Sequence, residues 1–165
     1  MLKYWDDMCE LFSILAYIVK ASDKDGIDMY FTMSEHRYNS KDTAKLVEEV
    51  EKRKAYLKGA SNLNARLDYV LGDYDRDLRS EKALRNGGSS NAPKKDLKPL
   101  SVYVFTNVVW GGKSDPKVAI ESIVDNLIDL RLPATQVGIQ FISFGNDPEC
   151  LRRLDYYDSE LGLKM

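Results

Sequence analysis

Two near-continuous apolar runs dominate this sequence. Leu100-Ser101-Val102-Tyr103-Val104-Phe105-Thr106, continuing through Val108, Val109 and Trp110, is the first; Gln136 to Phe144 is the second. Branched and aromatic residues at almost every position suit strands covered on both faces, as in a parallel sheet. Between the runs, Gly111-Gly112 turns the chain and Pro116 takes a first helical position behind Asp115 as cap. Val118, Ile120, Ile123, Val124, Leu127, Ile128 and Leu130 then recur at helical spacing up to Pro133. Strand, helix and strand in that order predict parallel pairing through a right-handed crossover. The fold class is therefore α/β, in a single domain for the 165 residues.

The rest of the chain fits that class. Trp5, Met8, Leu11, Phe12, Leu15, Ile18 and Val19 form one apolar stripe of a first helix. Gly26 supplies a turn, and Ile27 to Thr32 reads as a strand. A polar connection leads to Ser40, which is placed to cap a helix over 42–57 with Leu46, Val47 and Val50 inward. Ser61 or Asn62 caps a further helix carrying Leu63, Leu67, Val70 and Leu71, whose pattern fades through the charged stretch 73–85. A surface insertion at about 86–96, rich in Gly, Ser and Asn, follows by composition. A last helix is expected beyond Pro148, through Cys150, Leu151 and Leu154.

Composition narrows the function. With 24 Lys+Arg against 26 Asp+Glu the net charge is -2, which argues against general nucleic-acid binding. The longest apolar run, Leu11 to Val19, is nine residues, far short of a membrane span, and the first residues lack a signal-peptide pattern. A cytoplasmic protein is the expectation. Cys9 and Cys150 stand far apart with no metal-ligand spacing and are expected as small buried apolar residues. The one histidine, His36, reads as a solvated loop residue, so histidine-dependent catalysis is not expected.

Three constellations carry chemistry-bearing residues. Asp23-Lys24-Asp25-Gly26-Ile27-Asp28 has calcium-loop residues, but its glycine comes two positions early and no terminal Glu follows, so it reads as a turn. Asn107 to Ser114 has the Gly-Lys-Ser ending of a phosphate loop between a strand and a helix. Asn107 replaces its first glycine, bulky Val108, Val109 and Trp110 follow, and Pro116 starts the helix late. A nucleotide-binding enzyme using this loop is the alternative reading; a general acid-base enzyme using Asp28 or Asp68 has no spacing support. Third, Ser61 opens a helix while Thr106 and Asn107 close a strand, oxygen donors at the strand ends where open parallel sheets bind ligands.

The order of these segments resembles a von Willebrand factor type A domain, of the fungal type. The matching stretches are Trp5-Asp6-Asp7 with the helix to Val19, Gly26 to Thr32, Lys58 to Leu63, Val102 to Asn107, and Val137 to Gly145. The resemblance implies a doubly wound, mostly parallel sheet flanked by helices in three layers, with a metal-ion-dependent adhesion site at the strand carboxyl ends. Ser61 falls where that site has a Thr, and Asn107 where it has an Asp. Its Asp-x-Ser-x-Ser loop has no counterpart, and neither has the first, central strand that carries it. On this resemblance the 1–165 domain is partial, truncated at both ends. It is expected to be a non-enzymatic protein-protein interaction module with a degenerate metal site. No cofactor is then expected, and magnesium or manganese would enter only if the missing loop were supplied. The partner is a protein of unspecified identity, not nucleic acid or membrane, and unpaired strand edges would favour self-association.

Overall fold

The computed structural model describes residues 1–21, 23, 25–57, 61–86, 97–110 and 112–161. The chain is α/β. In order it forms α1 (Trp5–Lys20), β1 (Ile27–Tyr30), β2 (Arg37–Ser40), α2 (Thr43–Arg53), α3 (Leu63–Asn86), β3 (Leu100–Thr106), α4 (Lys117–Asp129), β4 (Val137–Ser143) and α5 (Pro148–Tyr156).

The two apolar runs pair as expected: β3 and β4 are parallel, from Leu100 opposite Val137 to Thr106 opposite Ser143. The expected mostly parallel sheet does not form as one unit among the described residues. β1 pairs antiparallel with β2, from Ile27 opposite Ser40 to Tyr30 opposite Arg37, and this pair is separate from β3-β4.

Two large apolar clusters hold the elements. Trp5, Met8, Phe12 and Ala16 of α1 pack with Met29 of β1 and Leu46 and Val50 of α2; Phe105 and Phe144 reach the same cluster. On the other side, Leu63, Leu67 and Leu71 of α3 pack with Val104, Trp110 and the α4 residues Ala119, Ile120 and Ile123. The α5 residues Cys150 and Leu154 lie against this second cluster. Phe12 meets Phe105 edge-on at 5.8 Å, and Tyr69 of α3 meets Tyr30 of β1 at 6.3 Å. So α1 and α3 each touch both strand pairs.

Several boundaries differ from the sequence expectations, each for an identifiable reason. The polar connection before Ser40 contains strand β2, held as an edge by Arg37 and Asn39 donating to the Asp28 carboxylate at 3.0–3.2 Å. Asp42, not Ser40, caps α2, accepting from the Ala44 amide at 2.9 Å; Ser40 Oγ instead accepts from the Asp42 amide. The α1 stripe is rotated: Ala16 is buried and Ile18 is 59% exposed. The apolar residues of that helix cover more than half of its circumference, opposite Asp6, Glu10, Ser13 and Lys20, so the buried centre can shift within the apolar side.

α3 does not fade after 73 but continues to Asn86. Its later turns are anchored by Leu78 against Leu127 and Leu130, and by Tyr74 donating to the Lys98 carbonyl at 2.6 Å. Asn62 Oδ1, accepting from the Ala65 amide at 3.0 Å, holds its first turn. The insertion expected at 86–96 lies outside the described residues beyond Asn86, as do Lys58, Gly59 and Ala60.

Candidate functional site

The residues that follow β1 and those that follow β3 are linked at one corner through Ser61. Asp25, before β1, pairs with Lys98, before β3, at 2.5 Å, which fixes the opposite ends together. At the carboxyl corner Ser61 is the junction. Its hydroxyl donates to Thr32 Oγ1 at 2.9 Å, two residues past β1. Its carbonyl accepts from Ser114 Oγ at 2.7 Å, on the short 3-10 turn Gly112–Ser114 after β3. The Asn62 amide adds a bond to the Thr32 carbonyl at 3.3 Å.

The other two oxygen donors foreseen here are placed differently. Thr106 is buried, and its Oγ1 accepts from the Val108 amide at 2.9 Å. That bond closes a turn which holds the fully buried Val108 at φ 57°, a strained conformation for a branched residue. Asn107 lies between them, half-buried, and shares no hydrogen bond with Ser61 among the described residues. Ser61 thus joins Thr32 and Ser114 rather than Asn107. Thr32 gave no signal in the sequence, since a threonine at the end of a strand is ordinary.

The carboxylate nearest this loop in sequence, Asp115, is already engaged. It accepts from the Lys117 amide at 3.0 Å, starting α4, and from the Tyr157 hydroxyl. Burial, reinforced by the Asp115 charge, pushes the Tyr157 phenol far above its ordinary value, so it stays a donor. Arg153 donates to the Trp110 carbonyl at 2.7 Å, tying α5 to the same loop.

The chemistry available at the corner follows from this set. Ser61, Thr32, Ser114 and Asn107 offer neutral oxygens. Hard divalent cations take several oxygens, usually with carboxylate among them. Among the described residues no three of His, Cys, Asp and Glu gather where a metal ion would sit. The hydroxyls of Ser61 and Ser114 donate to a hydroxyl and a carbonyl oxygen rather than to a base among the described residues.

The phosphate-loop residues are also accounted for. Ser114 spends its hydroxyl on Ser61, Lys113 is exposed on the 3-10 turn, and α4 begins only at Lys117; Gly111 lies outside the described residues. The calcium-like aspartates serve the turn and the β1-β2 pair: Asp23 accepts from the Asp25 amide at 3.0 Å, and Asp28 holds Arg37.

His36 is partly exposed at 3.1 Å from Glu49, which also accepts from Arg53. Both cysteines are half-buried rather than fully so. Cys9 lines an open groove of about 530 Å³ between α1 and α2 with Trp5, Asp6, Glu10, Val47 and Lys54. Burial, with Glu51 and Asp6 nearby, raises its thiol above the ordinary range, which keeps it protonated and a poor nucleophile. No helix among the described residues is long and apolar enough to cross a membrane.

Comparison with protein-family models, with curated proteins and with solved structures returned no match.

Proposed function

We propose that this chain is a non-enzymatic protein-protein interaction module of the von Willebrand factor A type, with a degenerate metal-ion-dependent adhesion site. The observation that carries the reading is the corner at Ser61, where the strand ends offer neutral oxygens bonded to one another. Such a corner lacks the charge to hold a divalent ion and lacks a base to drive chemistry.

The fold supports the same reading. An antiparallel pair and a parallel pair both touch α1 and α3. Two strand pairs between two helical layers are what a three-layer, doubly wound sheet becomes when its central strand is missing. The partner is then engaged without metal.

The test is titration of the chain with magnesium or manganese, then with a non-hydrolysable ATP analogue, followed by Trp110 fluorescence. No saturable response to either is expected. The competing reading rests on Lys113 and Ser114 lying between β3 and α4. A saturable ATP response that Lys113→Ala abolishes would establish that reading and overturn the interaction module.

A further inference from the structure

We propose that α5 is a releasable latch on the segments that follow β3. Docked, it holds Val108 in a strained turn and keeps Ser114 against Ser61; released, it frees both together. The inference goes beyond the interaction-module reading and holds whichever ligand the corner takes.

The turn after β3 is under backbone strain. Val108 and Arg131 are the two non-glycine residues at positive φ among the described residues; Arg131 is exposed, whereas Val108 is branched and 2% exposed. A branched residue stays at φ 57° only where its surroundings over-determine it. Part of that restraint is local. Thr106 Oγ1 accepts from the Val108 amide at 2.9 Å, and the Val108 carbonyl accepts from the Trp110 amide at 3.1 Å. The rest comes from α5 and the residue that follows it. Arg153 donates to the Trp110 carbonyl at 2.7 Å, where the turn ends. The Trp110 ring lies 6.0 Å from Phe141 of β4, which stacks in turn on Tyr157 at 5.8 Å. The Tyr157 hydroxyl donates to Asp115, next to the Ser114 whose hydroxyl reaches the Ser61 carbonyl.

α5 itself is lightly seated. No residue of Pro148–Tyr156 is buried; Cys150 and Leu154 pack partly against the core, and Tyr157 is the buried anchor. An element held by so little apolar surface opens at a lower free energy than the core does. The strained turn depends on α5, and α5 depends on Trp110 and Asp115, so the two open as one unit rather than as independent segments. Arg153 and Tyr157 are positioning residues in this unit: they act on Val108 and Ser114 through Trp110 and Asp115. When they let go, Val108 relaxes and Ser114 leaves Ser61, so the state of α5 sets the geometry of the corner.

Native-state amide hydrogen exchange of the full chain in low urea tests the latch. The Trp110 and Asp115 amides, bonded to the Val108 and Gly112 carbonyls, should share one opening with the Tyr157 amide at the end of α5. That opening should precede the one that exposes the paired amides of β3 and β4. Arg153→Ala should speed exchange at Trp110, Asp115 and Tyr157 alike by about tenfold, leaving α1 and α2 unchanged, and Arg153→Lys should restore most of the protection. The coupling is also reciprocal: Thr106→Val, which removes the acceptor of the Val108 amide on β3, should speed exchange within α5. An Arg153 with only a local structural role would not move these readouts together. Acceleration confined to α5 in Arg153→Ala, an α5 unmoved by Thr106→Val, or separate openings for Trp110 and Tyr157 in the parent chain would overturn the proposal. The parent-chain comparison decides the matter where a variant fails to fold. A saturable magnesium or ATP response removes the interaction module without altering any of these outcomes.

Discussion

The Ser61 hydroxyl lies 2.9 Å from Thr32 Oγ1, so the end of β1 and the entry to α3 are joined by a neutral hydrogen bond. The same residue offers its carbonyl to Ser114, past β3. Ser61 is thereby a structural link between the two strand pairs, with its proton committed to Thr32.

Ser61→Ala should accordingly act as a loss of one exposed hydrogen bond. A destabilisation of about 0.5–1 kcal/mol by urea denaturation is expected, with the response to magnesium unchanged from that of the parent chain. A magnesium response present in the parent and lost in the variant would make the hydroxyl a metal ligand.

Phe12→Ala removes the contact through which α1 reaches both strand pairs, since Phe12 is buried with Met29 and stands edge-on to Phe105. The expected loss is about 3–5 kcal/mol, typical of deleting a buried aromatic ring. For a chain of ordinary marginal stability that approaches complete unfolding. A loss below about 1 kcal/mol would show that α1 is not shared between the pairs.

Glu49 ties stability to acidic pH. The hydrogen bond from Arg53 holds its carboxyl below the ordinary value of 4.5, against the opposing effect of burial, and the Arg53 and His36 charges add to the lowering. A carboxyl lower in the folded than in the unfolded chain stabilises above its unfolded value, and that contribution is lost as pH falls through the folded value. Stability should therefore decline below about pH 4.5, and Glu49→Gln should flatten that part of the profile in denaturation curves. An unchanged acid limb would contradict the pairing.

The Gly145 position is fixed by the N-terminal turn. Its φ is +119°, and a Cβ there would fall 3.0 Å from the Tyr4 hydroxyl. Gly145→Ala should cost about 1–3 kcal/mol from backbone strain, and Tyr4→Phe in the same background should restore only the steric part. Thermal unfolding of the single and double variants separates the two; a neutral Gly145→Ala would show that the β4 exit adopts another conformation.

How far this structure was legible in the sequence follows from where the apolar residues fall. β3, α4 and β4 stood out because their apolar residues run with almost no polar interruption, and the parallel pairing followed from chain order, although β3 exposes Ser101 and Tyr103 and β4 exposes Gly138 and Gln140 rather than being covered on both faces. β2 was hidden, since Arg37-Tyr38-Asn39-Ser40 carries one apolar side chain, Tyr38, and is otherwise polar, with Arg37 and Asn39 held by Asp28. On α1 the expected Trp5, Met8 and Phe12 are buried, but a broad apolar side left open whether Ala16 or Ile18 would face inward. At the corner, Ser61 was visible as a hydroxyl opening a helix. Its true partners, Thr32 and Ser114, were not, because their meeting depends on which strand ends the tertiary fold brings together.

The central claim is that β1-β2 and β3-β4 are separate strand pairs, each touching α1 and α3. Residue-resolved amide hydrogen exchange on the isolated chain tests it most directly. Alternate amides of β1 and β3, those turned away from β2 and β4, should exchange far faster than the amides paired across β1-β2 and β3-β4. Uniformly slow exchange along β1 and β3 would mean that their other edges are paired, and would contradict the account.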